Sequence, residues 1–238
     1  MDNAVLEQMV NSNWYQTRMR AAKQGYGLDR LVHDRNVYVR IEVAKQGYGL
    51  NILIKSSSER IRVAVAQQGY GLDKLVYDRS ELVRREVAKQ GYGLHILIND
   101  NSSIVRAAVA RQGYGLDKLV HDTSVDVLLE VIHHGYGLDE LVNSANRWVR
   151  IEVAKQGYGL DKLIADPRPD VRRTVARQGY GLNILVNDVD RDVREEVARQ
   201  GYGLDILIND TDTYVRTIAR NALTYLNNKR GNNVNDQY

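Results

Sequence analysis

Six acid–arginine pairs recur along this chain, always six residues apart: Asp34/Arg40, Asp78/Arg84, Asp100/Arg106, Asp166/Arg172, Asp188/Arg194 and Asp210/Arg216. Residues at that separation cannot sit side by side on one helix face. A guanidinium would have to reach its carboxylate between neighbouring segments, where its fork can also take loop carbonyls. The pairs read either as a structural ladder or as a row of phosphate or acid sites. Nine tyrosines, from Tyr26 to Tyr202, each stand between two glycines. They form either an aromatic ribbon that stacks bases or grips a peptide, or rings packed on a neighbouring turn with each hydroxyl on a backbone group or a nearby Gln. A third row is cationic: Lys23, Lys45, Lys89, Arg111, Lys155, Arg177 and Arg199. Such a line can track phosphates. It also falls where a helix would end, and cations there suit the helix dipole. Glu42, Glu86, Glu130, Glu152 and Glu196 neutralise much of its field.

Catalytic and metal chemistry find no constellation. There is no Cys, which removes disulfides, thiolate metal sites, cysteine-held clusters and a cysteine nucleophile. His133 and His134 are adjacent, so on a helix they point about 100° apart, unlike the i, i+4 pair of a zinc site. His33, His95 and His121 have no partner at ligand spacing. No nucleophile–base pair or phosphate loop is present, and the Gly-Tyr-Gly tripeptide follows no strand, as a dinucleotide fingerprint would require. The expectation is no enzyme, no cofactor and no metal.

The elements that position these residues follow from one period. Gly-Tyr-Gly begins at Gly25, Gly47, Gly69, Gly91, Gly113, Gly135, Gly157, Gly179 and Gly201, every interval being 22 residues. A fixed short period marks a solenoid whose units bury their apolar faces against neighbours. Counted from the first Gly, positions 4 and 7 are always Leu and position 8 is always Val or Ile. That spacing puts the three on one side of a short helical segment of one or two turns, α or 3₁₀. Positions 15 and 19 are β-branched in nearly every unit, as in Val39/Val43, Ile61/Val65 and Val83/Val87. They mark the buried stripe of a longer helix over about positions 12–22. Polar residues at positions 10 and 12 supply its N-terminus, with Glu59 and Glu81 placed to close capping boxes with Ser56 and Asp78. Pro167 and Pro169 are expected in a first helical turn. The position-1 Gly ends the helix in the left-handed conformation.

The predicted fold class is all-α: a right-handed superhelical solenoid of about ten 22-residue units, each a long α-helix plus a short α or 3₁₀ helix. Residues 3–24 are expected to form a degenerate N-terminal capping unit, with Leu6, Met9 and Val10 in the apolar places and polar Thr17 where Val is expected. Nine repeats fill 25–222. Residues 223–238 are expected to extend the last helix and then, after about Asn227, to form a disordered polar tail. Nothing approaches the roughly 20 apolar residues of a membrane span, and no signal peptide is evident, so a cytoplasmic protein is expected. With 33 basic and 30 acidic residues the formal charge is only +3, which does not indicate a general polyanion binder.

The run Asp78-Arg-Ser-Glu-Leu-Val-Arg84-Arg-Glu-Val-Ala88 resembles the core of HEAT-like repeats. The pairing of one long and one very short helix in a short unit is similar to the variant leucine-rich repeat family, and the likeness covers Asn3 to Ala222. It implies alternating α and 3₁₀ helices in a right-handed superhelix that presents a long surface to a protein or nucleic acid. It also favours the ladder reading of the acid–arginine pairs. The unit is slightly shorter than that family's usual one, with Gly-Tyr-Gly where prolines tend to stand. The cysteine cluster preceding some members' repeats is absent, so no iron–sulfur role carries over.

If recurring residues build the fold, recognition belongs to the exceptions. The outward face of the long helix is expected near positions 13, 17 and 21, and the unit at 123–134 departs furthest. Leu128 replaces the ladder Arg, Ile132 a small Ala, and His133-His134 the basic residue and Gln. Ser144 then replaces a position-10 acid. Val125, Leu129, Ile132, His133, Arg147, Trp148 and Ile151 are the candidate partner-binding residues: apolar, rimmed by Arg and a Trp, as protein interfaces are. The leading expectation is a non-enzymatic protein-binding solenoid, monomer or homodimer, that scaffolds or blocks a partner. The alternative is a nucleic-acid binder using Lys45, Lys89, Arg111, Lys155, Arg173, Arg177 and Arg199. An enzyme acting in the groove is a distant third.

Overall fold

The computed structural model describes residues 2–235, with side chains through residue 228. Among them there are helices, turns and bends and no strand. Nine-residue helices such as Val37–Lys45 and Glu59–Gln67 alternate with four-residue helices such as Leu28–Leu31 and Leu50–Leu53. The short segments are single α-turns. The chain divides into two compact bodies, one ending at Glu130 and the other beginning at Val131, so that the boundary falls inside the helix Val125–His133.

In the first body the long helices stack in chain order, Tyr15–Lys23 on Val37–Lys45, then Glu59–Gln67, Glu81–Lys89 and Ser103–Arg111. In the second, Arg147–Lys155, Pro169–Arg177, Arg191–Arg199 and Thr213–Asn235 do the same. Each body is thus an all-α solenoid with its core between successive repeats. Val39, Val43 and Ala44, and their equivalents Ile61, Val65 and Ala66, are completely buried, and Leu31 and Leu53 of the short helices are buried as well.

The Gly-Tyr-Gly turn solves two problems with two different glycines. The helix Val37–Lys45 ends with the Gly47 N–H donating to the Ala44 carbonyl at 2.9 Å and the Tyr48 N–H to the Val43 carbonyl at 3.3 Å. That bond pair needs a left-handed residue at the first Gly, and Gly47 has φ +73°. A Cβ at Gly47 would meet nothing within 4 Å, so the residue is there for its conformation alone. Gly49 is also left-handed, φ +61°, and a Cβ there would lie 2.5 Å from Cγ2 of Val32 in the preceding repeat. The second glycine therefore also sets how closely consecutive repeats approach.

The N-terminal unit behaves as a cap. The helix Asn3–Val10 buries Leu6 and Val10, and Val10 lies against Gly27 just as Val32 lies against Gly49. Three sequence expectations change. The N-cap is position 12, whose Asn36, Asn146 or Asp190 side chain accepts the cap hydrogen bond, while Ser58 and Ser80 make none and no capping box forms. Glu59 instead accepts from the Ser80 hydroxyl at 2.6 Å. Pro169 opens its helix, whereas Pro167 stays in the loop before it. The last helix runs Thr213–Asn235, so the polar stretch after Asn227 is helical as far as Asn235. Residues 236–238 of the expected tail lie outside the described residues.

Candidate partner-binding surface

The acid–arginine pairs resolve into rungs sixteen residues apart. Among the described residues there are seven: Arg18–Asp34, Arg62–Asp78, Arg84–Asp100 and Arg106–Asp122 in the first body, and Arg150–Asp166, Arg172–Asp188 and Arg194–Asp210 in the second. Nε donates to one carboxylate oxygen at 2.5–2.6 Å and Nη2 to the other at 2.8–3.0 Å. Nη1 donates back to the position-10 carbonyl of its own repeat at 2.7–2.8 Å. The carboxylate also accepts from a backbone N–H two residues on, as Asp78 does from Ser80 at 2.8 Å. Burial pushes the Asp78 carboxyl up, but the Arg62 guanidinium and the Ser80 N–H more than offset it and hold it below the usual range. The guanidiniums of the seven rungs are thus engaged inside the stack.

Two places lack a rung. Ser56 stands where Arg40 would find its acid, and Arg40 donates through Nη1 to the Asp34 carbonyl. In the sequence the 16-residue register is also broken at 128 and 144, where Leu128 and Ser144 stand in place of an Arg and an acid.

The cationic row is internally matched. Lys45 reaches Glu42 at 3.5 Å, Lys89 reaches Glu86 at 3.2 Å and Lys155 reaches Glu152 at 2.9 Å. Arg111 pairs with Glu130, Arg177 with Glu196 at 2.7 Å and Arg199 with Glu195 at 2.6 Å. Arg173 is half-buried beside a small cleft that also holds Asp170, Asp190 and Asp192.

The tyrosine hydroxyls do not find the expected partners. Tyr26 donates to Glu7 at 3.3 Å, but from Tyr48 to Tyr202 the rings are 40–42% exposed and no hydroxyl is hydrogen-bonded to the described residues. The rings form an exposed row within each body.

The seven predicted partner-binding residues separate. Val125 and Leu129, in the first body, are half-buried. In the second body His133 is exposed, with Nε2 3.3 Å from Glu152, Trp148 is 54% exposed, and Arg147 lies with its guanidinium carbon 4.8 Å from the Trp148 ring centre. Ile132 and Ile151 belong to the interior instead, at 0% and 8% exposure. The physical reason is that a helix inside a stack is flanked on two sides. Position 20, where Ile132 replaces the buried Ala of other repeats such as Ala44, is buried. Position 18, occupied by Glu42, Glu86 and Glu196, is buried too, and position 17 is covered at its edge. The outward sector runs over positions 13, 14 and 21, with Glu59, Glu81 and Arg191 exposed at position 13.

Position 14 is the row that sequence reasoning missed as a row. It carries Tyr38, Arg60, Leu82, Ile104 and Asp126 in the first body, with Leu82 and Ile104 half-buried, and Trp148, Asp170, Asp192 and Tyr214 in the second. Tyr38 stacks on Tyr15 at 6.1 Å and accepts from Arg60 at 3.1 Å, beside the exposed Trp14. The signal was present in the helical register of positions 15 and 19, from which position 14 lies about 100° and 140° away. Among the described residues no group of three His, Cys, Asp or Glu is arranged to hold a metal ion. None of their helices is long and apolar enough to cross a membrane.

The chain matches no known protein-family model and no curated protein sequence.

Proposed function

We propose that the protein is a non-enzymatic protein-docking solenoid that scaffolds or blocks a partner through the exceptional residues on its outward long-helix positions. The observation that carries this reading is Trp148: a large aromatic more than half exposed, with a guanidinium laid over it, in a fold whose repeated polar groups are largely spent on one another. Trp and Arg are the residues that most often dominate interface energies. The nucleic-acid alternative has less support, because six of its seven cations are already matched by carboxylates.

The test is capture of partners by the full chain from its native host, repeated with Trp148→Ala. Loss of about 2 kcal/mol or more, roughly thirtyfold in affinity, is expected with circular dichroism and thermal unfolding unchanged. Undiminished capture by the variant would remove Trp148 from the interface.

A further inference from the structure

The loops joining short and long helices leave a notch between successive repeats, and one of these notches differs from its counterpart. In the second body a recess of about 700 Å³ lies between the loops at 142–147 and 162–168. Its floor is Val142 and Leu163, both buried, and its walls include Ala145, Ala165 and Pro167. Arg147, Lys162 and Arg168 stand on its rim. The corresponding notch of the first body, about 430 Å³, is lined by Tyr77, Asn99 and Asn101. Where the larger notch has Arg147, Lys162 and Arg168, the register of the repeat places Glu81, Ile96 and Ser102.

The notch itself is lined by one carboxylate, Asp166, while Asp170, Asp190 and Asp192 line the smaller cleft on the other side of Arg147 and Arg168. Asp166, the carboxylate inside the notch, has both oxygens engaged by Arg150 at 2.6 and 3.0 Å and also accepts from the Arg168 N–H. Ser144 removes the second acid that the repeat would place there, and its hydroxyl oxygen accepts from the Asn146 N–H. Arg147 has Asp170 at 3.4 Å, while the Lys162 and Arg168 side chains have no acid or hydrogen-bond partner among the described residues. Small residues opened the space, and cations collected around it.

We infer that this notch docks an acidic, extended segment of a partner protein, taking carboxylates on Arg147, Lys162 and Arg168 and a small apolar side chain on the Val142–Leu163 floor. The inference rests on the protein-docking reading and specifies the partner's chemistry. Charge complementarity selects an anion, and the apolar floor between cations selects a peptide over a bare phosphate backbone. Trp148 follows Arg147 directly, so the notch adjoins the exposed aromatic.

The test uses the full chain and a fluorescein-labelled Glu-Leu-Glu-Glu-Leu-Glu peptide, read by anisotropy. Comparisons are the Gln-Leu-Gln-Gln-Leu-Gln analogue and a DNA duplex as competitor. Lys162→Glu/Arg168→Glu is compared with Lys23→Glu/Lys55→Glu, which makes the same change in net charge at exposed sites elsewhere. Circular dichroism checks that both variants fold. The expected result is at least tenfold weaker peptide binding for the notch variant, a change within twofold for the control variant, and no binding of the glutamine analogue. The proposal is overturned by no acidic-peptide binding at about 1 mM, by equal losses in both variants, or by duplex DNA displacing the peptide from the same residues. If Trp148→Ala still abolishes partner capture while the peptide fails to bind, the notch is wrong and the docking reading stands.

Discussion

At the scale of the residue, the Arg–Asp rung is the unit that most needs measuring. Both members are nearly buried: the Arg62 and Asp78 side chains are 7% and 9% exposed. Removing one therefore leaves an uncompensated charge. Asp78→Ala should cost about 3–5 kcal/mol in urea unfolding, and a loss under about 1 kcal/mol would show the rung to be incidental. The converse variant is more discriminating. Ser56→Asp offers Arg40 the acid it lacks, on a loop where Ser56 already accepts from the Ser58 N–H as the rung aspartates do from theirs. It should stabilise the protein by about 1–3 kcal/mol, read as a raised urea midpoint at constant m-value. The rungs also set the acid limit. The folded-state carboxyls of Asp34, Asp78, Asp100, Asp122, Asp188 and Asp210 are held low. A group whose folded pKa is depressed contributes stability that is full above its unfolded pKa, about 3.9, and is lost as pH falls through the folded value. Thermal stability should accordingly stay flat from neutral pH to about 5 and drop steeply below 4. A decline centred near pH 6 would assign the acid limit to histidine.

At the scale of the element, the Gly-Tyr-Gly turn separates a conformational glycine from a packing glycine. Gly47→Ala meets no neighbour and should cost only the left-handed backbone strain, about 1–2 kcal/mol. Gly49→Ala adds a collision with Val32 and should cost distinctly more. Val32→Ala should relieve part of that excess but none of the Gly47 penalty, so a double-mutant cycle gives coupling only for the pair 32/49. Equal costs at the two glycines would refute the distinction. The long helix was legible because its signals agreed: β-branched positions 15 and 19, polar position 12 and a left-handed Gly point to one helix over about positions 12–22, of which the structure forms the nine residues 13–21. Its outward sector was less legible. Ile151 looks solvent-facing if only the 15/19 stripe is buried, but packing on both sides buries position 18 and covers position 17 as well. That is a property of the stack, and no periodicity within one helix carries it. The helix continuing to Asn235 has no apolar pattern after Leu226 to account for it.

At the scale of the whole molecule, the 22-residue period carried the fold, because an unbroken repeat admits one local structure used again and again. It carried little of the site. Trp148 and Arg147 stood out as exceptions, whereas the notch of Lys162 and Arg168 depends on which cations lack acids, and that appears only when side chains are placed. The charge arrangement makes its own prediction. With position-21 cations matched by carboxylates, retention on heparin should be weak at about 0.15 M salt, with a shallow dependence of log K on log salt. A steep slope, comparable to six or more phosphate contacts, would restore the nucleic-acid reading.

The central claim is that the recurring charged residues are consumed in holding the repeats together and that recognition lies with the exceptions. Partner retention per mole of folded protein, compared between Arg84→Ala and Trp148→Ala, tests it most directly. The account predicts that Arg84→Ala is destabilised yet retains the partner on whatever remains folded, while Trp148→Ala is as stable as the parent and loses it. The opposite outcome, a partner released by the rung variant and held by the tryptophan variant, would contradict the account.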